Sequence, residues 1–420
     1  METVTAVILA AGMGTRMKTD IPKVLHPVGS GTMLGKVISN LKKAGVLDII
    51  AVVGYKADIV ENYFRESAVR FARQPELLGS GDALAHAVDF MTGDEGDVLV
   101  TCGDAPLITD ETYSALLKKH RGEKAACTIL TCEMDDAASY GRIVRDDKGK
   151  ILKIVEAKDS SKDEKRITEI NVGTYCFNKK HLKKYIRDIE LNEKKNEFYL
   201  TDIIDILKTS GKKITSESCD PEEAIGVNSR RELALVNKID NRKNLEKLMD
   251  SGVTILDPET TRIDSEVSIA KDTIIFPNTV IEKDVKIGPA CKVGPFARLR
   301  PGTTLAKGVE IGNFVELCRT EVGEGSKVKH HSYLGDTKVG KGVNVGAGTI
   351  VANYDGEKKS RTEIGDNAFL GVGTVLIAPV KIGKGAKVGA GSVVTKNKDI
   401  PAGGTVIGVP ARPFTQKKDG

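Results

Sequence analysis

The 420-residue sequence predicts an α/β domain with a mostly parallel sheet, followed by a parallel β-helix of hexapeptide repeats. Two observations predict this fold class. From Ile263 onward a branched apolar residue returns every six positions, apart from steps of five after Leu317 and Leu334 and one of thirteen after Val351. The chain before Ile263 alternates strand-like and helix-like segments. A period of six fits one short strand plus one turn, so that successive repeats stack into a β-helix. A run of β-hairpins would instead show a period of two.

The first half of the chain carries the alternating segments. Apolar runs predict buried strands at residues 5–10, 49–53 and 97–101, and the pattern at residues 34–44 predicts an amphipathic helix. Strands that alternate with helices predict a parallel sheet with helices on both of its faces.

The domain boundaries follow from a change of pattern. Residues 230–249 combine helical periodicity with dense charge, and Gly252 is a natural stop for that helix. We therefore expect a first domain at residues 1–228, a connecting helix at 229–252 and the β-helix at 253–420.

The repeat predicts which side chains point into the β-helix. Glycine follows several of these residues, at positions where the chain must bend sharply. The repeat residues are Ile263, Ile269, Ile275, Ile281, Ile287, Val293, Leu299, Leu305, Ile311, Leu317, Val322, Val328, Leu334, Val339, Val345, Val351, Ile364, Leu370, Leu376, Ile382, Val388, Val394 and Ile400.

Composition excludes several classes of protein. The net charge of +5 is spread over many charged groups and aromatic residues make up only 5% without any Trp, so a stacking surface for nucleic acid is not expected. No apolar run approaches 18 residues and no signal-like leader precedes the first strand, which predicts a cytoplasmic protein without a membrane span. The seven scattered cysteines argue against a disulfide framework and against structural zinc.

A glycine-rich turn after the first strand is the first chemical motif. It runs through residues 9–17 and is followed by Pro22 and Lys23. Glycines at a strand end let backbone N–H groups approach a phosphate, while Arg16 and Lys23 supply positive charge. The motif lacks the Gly-Lys-Ser/Thr of a Walker loop and the third glycine of a Rossmann fingerprint. Alone, it is also compatible with a simple tight turn.

Further motifs follow along the chain in a fixed order. They are Gln74 with Leu78-Gly79-Ser80-Gly81, Gly103-Asp104, Tyr140-Gly141-Arg142, Glu156-Ala157-Lys158, Asn171-Val172-Gly173 and Gly226-Val227-Asn228. Together with the glycine-rich turn and the repeat, this order resembles the family of bifunctional N-acetylglucosamine-1-phosphate uridyltransferases/glucosamine-1-phosphate acetyltransferases. The resemblance covers nearly the whole chain. It implies a Rossmann-like nucleotidyltransferase domain, a left-handed β-helix and a homotrimer.

The resemblance also assigns residues in the first half. It implies transfer of uridylyl from UTP to N-acetylglucosamine 1-phosphate, with Mg²⁺ held by Asp104 and Asn228 and with Arg16 and Lys23 as catalytic cations. The implied nucleotide-binding residues are Leu9, Ala10, Ala11, Gly12, Gly14, Thr15, Gln74, Gly79 and Ser80, and the implied sugar-binding residues are Gly141, Glu156 and Asn171. The alternatives are a turn or cap residue for Asp104 and structural hydrogen bonds for Glu156 and Asn171. The family usually has His where this chain has Asp82, which leaves the base or sugar preference open.

Two interruptions of the repeat predict a second site. Residues 329–336 place two histidines and a tyrosine among small and charged residues, and residues 352–361 form a protruding loop. By resemblance, His330 is the general base that helps glucosamine 1-phosphate attack acetyl-CoA, and an ordinary imidazole pKa of about 6.5 suits that role. The implied substrate-binding residues are Arg300, Tyr333, Asn344, Asn353, Tyr354 and Lys359, with Ala390 along the coenzyme A groove. The alternatives are His331 as the base, solvated histidines, and tyrosines packed at a subunit seam.

Departures in the second half leave a different function open. Cys318 and Val372 stand where the family usually has Lys and Ser, and the chain lacks the family's longer basic tail. Arg319 could replace the missing cation only from another direction, because neighbours on a strand face opposite sides. A single-function nucleotidyltransferase whose β-helix serves only for oligomerisation is therefore the alternative. A nucleotide-binding subunit without turnover is a further one, which intact Arg16, Lys23, Asp104 and Asn228 disfavour.

Overall fold

The computed structural model describes residues 3–135, 137, 140–193 and 195–414. The chain forms two compact units, Met1–Lys238 and Ile239–Gly420. The division falls inside a long helix, Arg230–Asp250. Its charged sequence predicted a helix at this place.

The first unit is an α/β layer structure. Its strands are β1 Val4–Leu9, β2 Pro27–Val28, β3 Gly31–Thr32, β4 Asp48–Val53, β5 Val69–Arg73, β6 Asp97–Cys102, β7 Cys127–Glu133, β8 Gly141–Arg145, β9 Ile151–Val155, β10 Glu169–Asn178 and β11 Ile214–Ser218. Its helices are α1 Met33–Lys43, α2 Ala57–Tyr63, α3 Ser80–Val88, α4 Asp110–Glu123, α5 Lys179–Tyr185 and α6 Ile203–Thr209, and α7 Arg230–Asp250 follows them. Short 3₁₀ turns lie at Thr15–Met17, Lys23–Leu25, Glu164–Arg166, Ile186–Asp188 and Leu200–Asp202.

The central sheet has the order β11-β7-β10-β6-β1-β4-β5, with β8 and β9 attached beside β10. β1 pairs in parallel with β4 and β6, and β10 runs antiparallel to both β6 and β7. Apolar residues on each face of the sheet pack against helices, with α1 and α4 on one face and α3, α5 and α6 on the other. The predicted mostly parallel sheet with two helical layers is confirmed.

The second unit is a left-handed parallel β-helix of three sheets. Its strands are β12 Thr254–Ile255, β13 Arg262–Ile263, β14 Ser268–Ile269, β15 Ile274–Ile275, β16 Val280–Ile281, β17 Lys286–Ile287, β18 Lys292–Val293, β19 Arg298–Leu299, β20 Thr304–Leu305, β21 Glu310–Asn313, β22 Glu316–Cys318, β23 Glu321–Val322, β24 Lys327–His330, β25 Tyr333–Gly335, β26 Thr337–Val339, β27 Asn344–Val345, β28 Ile350–Ala352, β29 Thr362–Ile364, β30 Phe369–Leu370, β31 Val375–Ile377, β32 Val380–Ile382, β33 Lys387–Val388, β34 Val393–Val394, β35 Thr405–Ile407 and β36 Arg412–Pro413.

Pairing between every third strand creates the three flat faces. β18, β21, β24 and β27 run along the first face, β19, β22, β25 and β28 along the second, and β20, β23, β26 and β29 along the third. Every repeat residue predicted to point inward is buried. The period of six thus fixes the core, because three six-residue units complete one turn of the helix and bring each repeat residue above its predecessor.

Candidate functional site

The first candidate site lies at the carboxyl edge of the central sheet. The chain leaves β1 through Ala10, whose N–H donates to Val52 O at 2.9 Å, and the N–H of Gly103 after β6 donates to Leu9 O at 2.9 Å. These bonds extend the sheet and hold Leu9, Ala10 and Ala11 beside the loop that carries Asp104. Gly12 is exposed, and a Cβ added there would meet nothing within 4 Å. The edge therefore presents open backbone, as a ligand at the end of parallel strands requires.

The ammonium group of Lys23 lies between two side-chain oxygens at this edge. Lys23 Nζ donates to Asp104 Oδ2 and, at 3.1 Å, to Asn228 Oδ1. The N–H of Val227 donates to the main-chain oxygen of Asp104 at 2.8 Å, which fixes the two loops to each other. The structure thus brings together three predicted residues that are up to 205 positions apart in sequence. The lysine ammonium shows that a carboxylate and an amide oxygen converge on one positively charged centre.

The glycine-rich turn positions the cations of this edge. Gly14 has a φ of +65°, and a Cβ at this residue would lie 2.8 Å from Lys23 Cβ. Glycine therefore allows the turn to pack directly on Lys23. The following 3₁₀ turn leaves Thr15 and Arg16 exposed. Arg16 is thus accessible to a ligand.

The side chain of Gln74 has a defined orientation. Its Nε2 donates to the main-chain oxygen of Gly79 at 3.0 Å and to Asp82 Oδ2 at 2.7 Å. Both partners are acceptors, so the amide nitrogen faces them and Oε1 is directed elsewhere. Gly79 has a φ of +100°, and an added Cβ would lie 2.6 Å from Phe198 O. Ser80 begins α3, and its hydroxyl accepts from the N–H of Leu200 at 3.2 Å.

The three predicted sugar residues lie on neighbouring elements. Asn171 on β10 pairs with Gly141 on β8, and its side chain donates to Tyr175 OH at 2.7 Å. Glu156 follows β9 and accepts from the Thr201 hydroxyl at 3.1 Å. Burial raises the pKa of Glu156, and burial is also the main cause of the raised pKa of Tyr175, to which the charge of Glu156 adds. Gly141 and Asn171 are therefore direct neighbours, and Glu156 acts electrostatically on the tyrosine that holds Asn171.

The second candidate site is centred on His330. Its Nδ1 donates to Asn313 Oδ1 at 2.8 Å, one turn of the β-helix below. An amide oxygen accepting from Nδ1–H leaves Nε2 unprotonated, which is the tautomer a general base needs. The His331 ring instead stacks on Phe314 with ring centroids 5.1 Å apart. Both rings are exposed, and the hydrogen bond to Asn313 fixes the tautomer of His330.

One edge of the β-helix connects His330 with Ala390. Main-chain N–H groups donate from Gly348 to His330 O at 3.2 Å, from Gly373 to Ala347 O at 2.7 Å and from Gly391 to Val372 O at 2.7 Å. Each bond marks a step of one coil, so Ala390 lies three coils above His330, about 14 Å away at a strand spacing of 4.8 Å. This edge presents small or apolar residues that suit an elongated ligand.

The predicted phosphate ligands lie at the other edge of the second face. Arg300 donates through Nη1 to Glu316 at 2.8 Å, while its buried Nε has no hydrogen-bond partner in the described part of the chain. Cys318 lies one coil above Arg300 and is buried. Arg319 forms a two-point ion pair with Asp336, at 2.5 and 2.9 Å. The guanidinium of Arg319 is therefore engaged by a carboxylate.

The loop at residues 353–360 completes this edge. Asn353 donates to Asp336 Oδ2 at 2.5 Å, and Lys359 pairs across the loop with Tyr354. The Arg319 guanidinium is the main cause of the lowered pKa of Asp336, and the charge of Lys359 adds to it. Tyr354 and Lys359 are exposed. The loop thus holds a lysine near the edge on which Arg300 lies.

The predicted acetyltransferase residues are distributed over the β-helix. Tyr333 lies on the second face, and a Cβ on Gly335 would come within 2.6 Å of its hydroxyl. Asn344 lies on the first face, one coil above Lys327, and is exposed. The single chain therefore groups His330 with Ala390 along one edge and Arg300, Asn353 and Lys359 along the other, with Tyr333 between them.

Several residues of these sites were not singled out by the sequence. They are Asn313, Tyr175 and Thr201, which orient His330, Asn171 and Glu156. Asp82 was noted only as a departure, although it orients Gln74. Among the described residues, no helix has both the length and the apolar character needed to cross a membrane.

The chain was compared with known proteins. Residues 5–217 match the family described as "Nucleotidyl transferase", and residues 361–396 match "Bacterial transferase hexapeptide (six repeats)". "Bifunctional protein GlmU" of Carboxydothermus hydrogenoformans is 46% identical over 408 residues, which are 89% of this chain and 91% of that protein. Proteins of the same name from Pelotomaculum thermopropionicum and Enterococcus faecalis are 44% and 39% identical, with 89% and 90% of both chains covered.

These matches define the class and then the family. The chain joins a nucleotidyl transferase unit to a transferase of the hexapeptide-repeat class. More narrowly, it belongs to the family of the bifunctional protein GlmU, since relatives of 39–46% identity align with both units. The family predicted from the order of motifs is confirmed.

Proposed function

We propose that this chain is a bifunctional enzyme of UDP-N-acetylglucosamine synthesis. It acetylates glucosamine 1-phosphate with acetyl-CoA and then transfers uridylyl from UTP to N-acetylglucosamine 1-phosphate, releasing pyrophosphate. The observation that carries the proposal is the alignment of both units with bifunctional relatives over about nine-tenths of the chain. Because UTP and acetyl-CoA are metabolites of the cytoplasm, we also propose that compartment.

Uridylyl transfer is assigned to the edge of the first unit. An oxygen of the sugar phosphate attacks the α-phosphorus of UTP, and the bond to the β-phosphate breaks. Lys23 and Arg16 supply positive charge where the transferring phosphoryl group becomes more negative, which is the dominant form of catalysis in such reactions. The open backbone around Gly12 and the group formed by Gly141, Glu156 and Asn171 orient the two substrates.

The donor set fits a hard divalent cation. Asp104 and Asn228 would hold Mg²⁺, which prefers oxygen ligands. Water and substrate phosphates would supply the remaining ligands. The two oxygens already converge on the Lys23 ammonium, which supports this assignment. Bound there, Mg²⁺ would supply electrostatic stabilisation of the triphosphate.

Base recognition is assigned to Gln74. Its Nε2 is occupied by Gly79 O and Asp82, so Oε1 is the atom available to a ligand. Oε1 can accept from the N3–H of uracil or thymine, whereas cytosine has an unprotonated N3 at this position. Asp82 therefore acts as a positioning residue for pyrimidine choice.

Substitution of Asp82 by Asn tests this role. The Asn amide can donate as well as accept, so only Gly79 O still favours the native orientation of the Gln74 amide, and the flipped amide presents the wrong group to the base. We expect the KM for UTP to rise about fivefold to tenfold, the net value of one hydrogen bond, with kcat nearly unchanged. The measurement is steady-state pyrophosphate release with UTP and CTP, and Asp89→Asn at the opposite end of the same helix is the control. An unchanged KM and unchanged UTP preference would contradict the role.

Acetyl transfer is assigned to the second unit. Nε2 of His330 accepts a proton from the amine of glucosamine 1-phosphate as the nitrogen attacks the thioester carbonyl, and coenzyme A leaves as the thiol. Arg300 and Lys359 supply charge for the sugar phosphate, and Tyr333, Asn344, Asn353 and Tyr354 line its path. The edge through Val372 and Ala390 accommodates coenzyme A.

A second candidate function is favoured by one observation. Cys318 is buried and supplies no cation where the family usually has Lys, and the neighbouring Arg319 is paired with Asp336. A single-function nucleotidyltransferase with a structural β-helix remains the alternative.

We propose a homotrimer, as the family resemblance implies. The predicted acetyl-transfer residues lie on two edges of one β-helix, so a second copy packed alongside can complete the site. Exposed Phe296 and Phe314 stack with ring centroids 5.2 Å apart, and Phe314 continues the stack to His331. An exposed aromatic row beside His330 supports a subunit contact there.

Two assays on the purified chain test the proposed function. We expect pyrophosphate release from UTP with N-acetylglucosamine 1-phosphate, and thiol release from acetyl-CoA with glucosamine 1-phosphate. Pyrophosphate release without thiol release would establish the single-function alternative. Neither activity would overturn the proposal, and sedimentation measures the oligomeric state in the same preparation.

A further inference from the structure

Two cysteines lie opposite each other at the end of neighbouring strands. β11 runs parallel to β7 with Ser218 opposite Thr131, and the N–H of Cys219 donates to Thr131 O at 2.9 Å. Continued by one residue, this register places Cys219 opposite Cys132. Neighbouring strands lie about 4.8 Å apart, which is within the range of Cα separations that disulfides span.

The two thiols point to the same side of the sheet. Cys132 is part of the apolar cluster formed with α1 and α4, and Cys219 packs against that cluster. Cys127, on the same strand as Cys132, belongs to the cluster on the opposite face. The Cys219 thiol hydrogen-bonds to Cys132, which lowers the pKa of Cys132 and raises that of Cys219.

The loops that follow these cysteines reach the nucleotidyl transferase site. After Cys219 the chain leads to Asn228, which accepts from Lys23. After Cys132 it leads to Tyr140, whose hydroxyl donates to Ala224 O at 3.1 Å. The two loops therefore both begin at the thiol pair, and they contact each other close to the site.

We propose that Cys132 and Cys219 are a modification site, a dithiol that a peroxide closes to a disulfide and that thereby lowers nucleotidyl transfer. The effect on activity rests on the proposed function, whereas disulfide formation does not. The Cys132 thiolate attacks one peroxide oxygen, the O–O bond breaks, and the leaving oxygen takes up a proton to become water. The sulfur of Cys219 then attacks the sulfenic acid, and the second oxygen leaves as water. Two thiols thus supply the two electrons that reduce one peroxide.

The neighbouring thiol at the site does not compete. Burial raises the pKa of Cys102 to about 12, so this thiol remains protonated and unreactive. Cys219 is only half-buried, which gives a small oxidant access to the pair.

Closing the disulfide moves the residues at which both loops begin. The sulfurs move from hydrogen-bond contact to a covalent distance of about 2.05 Å. A shift of about 1 Å in a positioning group can cost on the order of 10²-fold in rate. We therefore expect at least a tenfold loss of nucleotidyl transfer, because Asn228 and Tyr140 are carried by the tethered loops.

The test uses the full-length chain and hydrogen peroxide. After oxidation, free thiols are alkylated and the protein is digested without reduction, and mass spectrometry searches for the peptide that joins Cys132 to Cys219. Pyrophosphate release is measured before oxidation, after it, and after treatment with dithiothreitol. We expect the joined peptide, a loss of activity, and recovery on reduction.

Variants separate the pair from other cysteines. Cys219→Ser, at a half-buried position, and Cys132→Ala should both resist inactivation, whereas Cys127→Ala on the opposite face should respond like the parent. Absence of the joined peptide, or equal inactivation of Cys219→Ser, would overturn the proposal. A joined peptide in a protein without activity before oxidation would leave the modification site standing and would refute the proposed function instead.

Discussion

Replacing His330 with alanine lowers acetyl transfer on the order of 10²- to 10⁴-fold, the usual contribution of a general base. The reason is the loss of the ring whose Nδ1 donates to Asn313 Oδ1 at 2.8 Å and whose Nε2 is thereby left to take a proton. The measurement is thiol release from acetyl-CoA at saturating glucosamine 1-phosphate. Pyrophosphate release by the same preparation should stay unchanged, because the two activities are assigned to different units.

Two variants give this result its meaning. His331→Ala removes a neighbouring ring that stacks on Phe314, and we expect thiol release close to that of the parent chain. Asn313→Ala leaves His330 in place but removes the hydrogen bond that selects its tautomer. The loss of thiol release in this variant should lie between those of the two histidine variants. If His331→Ala loses activity and His330→Ala retains it, the base is His331 and the tautomer argument is wrong.

The core of the β-helix could be predicted because it depends only on the six-residue period of the repeat. Once the period of six is recognised, each inward residue is specified, and Val328, Leu334 and Val351 are all buried as expected. The edge of the α/β unit could be predicted for a similar reason. Parallel strands end on one side of a sheet, so Asp104 and the glycine-rich turn are expected at the same edge.

Contacts between coils were harder to predict from the same repeat. The hydrogen bonds from Arg319 and Asn353 to Asp336 both span 17 residues, as does the bond between His330 and Asn313. Three units of six predict a spacing of 18. The steps of five in the repeat near residues 317–339 shorten the coils there by one residue, so the correct partner is found only when each step is counted separately.

Contacts that depend on tertiary packing have no sequence pattern comparable to the repeat. Thr201 donates to Glu156 across 45 residues, and Gln74 is oriented by an aspartate that looked like a simple departure from the family. Gln74 follows β5 and Asp82 lies on α3, so their contact depends on how α3 packs beside the end of β5. The sequence predicted the residue types at these sites, while the packing determines which atom of each faces the ligand.

The other large effect is expected at Asp104. Asp104→Asn replaces a charged ligand by a neutral one of the same shape, so the loop can keep its hydrogen bond from Val227. Electrostatic stabilisation by a metal ion is worth several kcal/mol, and we expect kcat for pyrophosphate release to fall on the order of 10³-fold. The concentration of Mg²⁺ needed for half-maximal activity should rise as well, because Asn228 remains as a neutral ligand.

A matched substitution distinguishes a role in the reaction from a general effect of lost charge. Asp94 lies in the loop before β6, at the opposite end of this strand from Asp104. On the surface it pairs with Lys183 at 2.6 Å. Asp94→Asn should leave both kcat and the Mg²⁺ requirement unchanged, since exposed ion pairs contribute little. The assignment of Asp104 fails if Asp104→Asn retains normal turnover at low Mg²⁺ while its folding, measured by thermal unfolding, matches that of Asp94→Asn. Loss of turnover with intact folding instead places the charge of Asp104 in the transition state, because the amide keeps the volume of the carboxylate and removes only its charge.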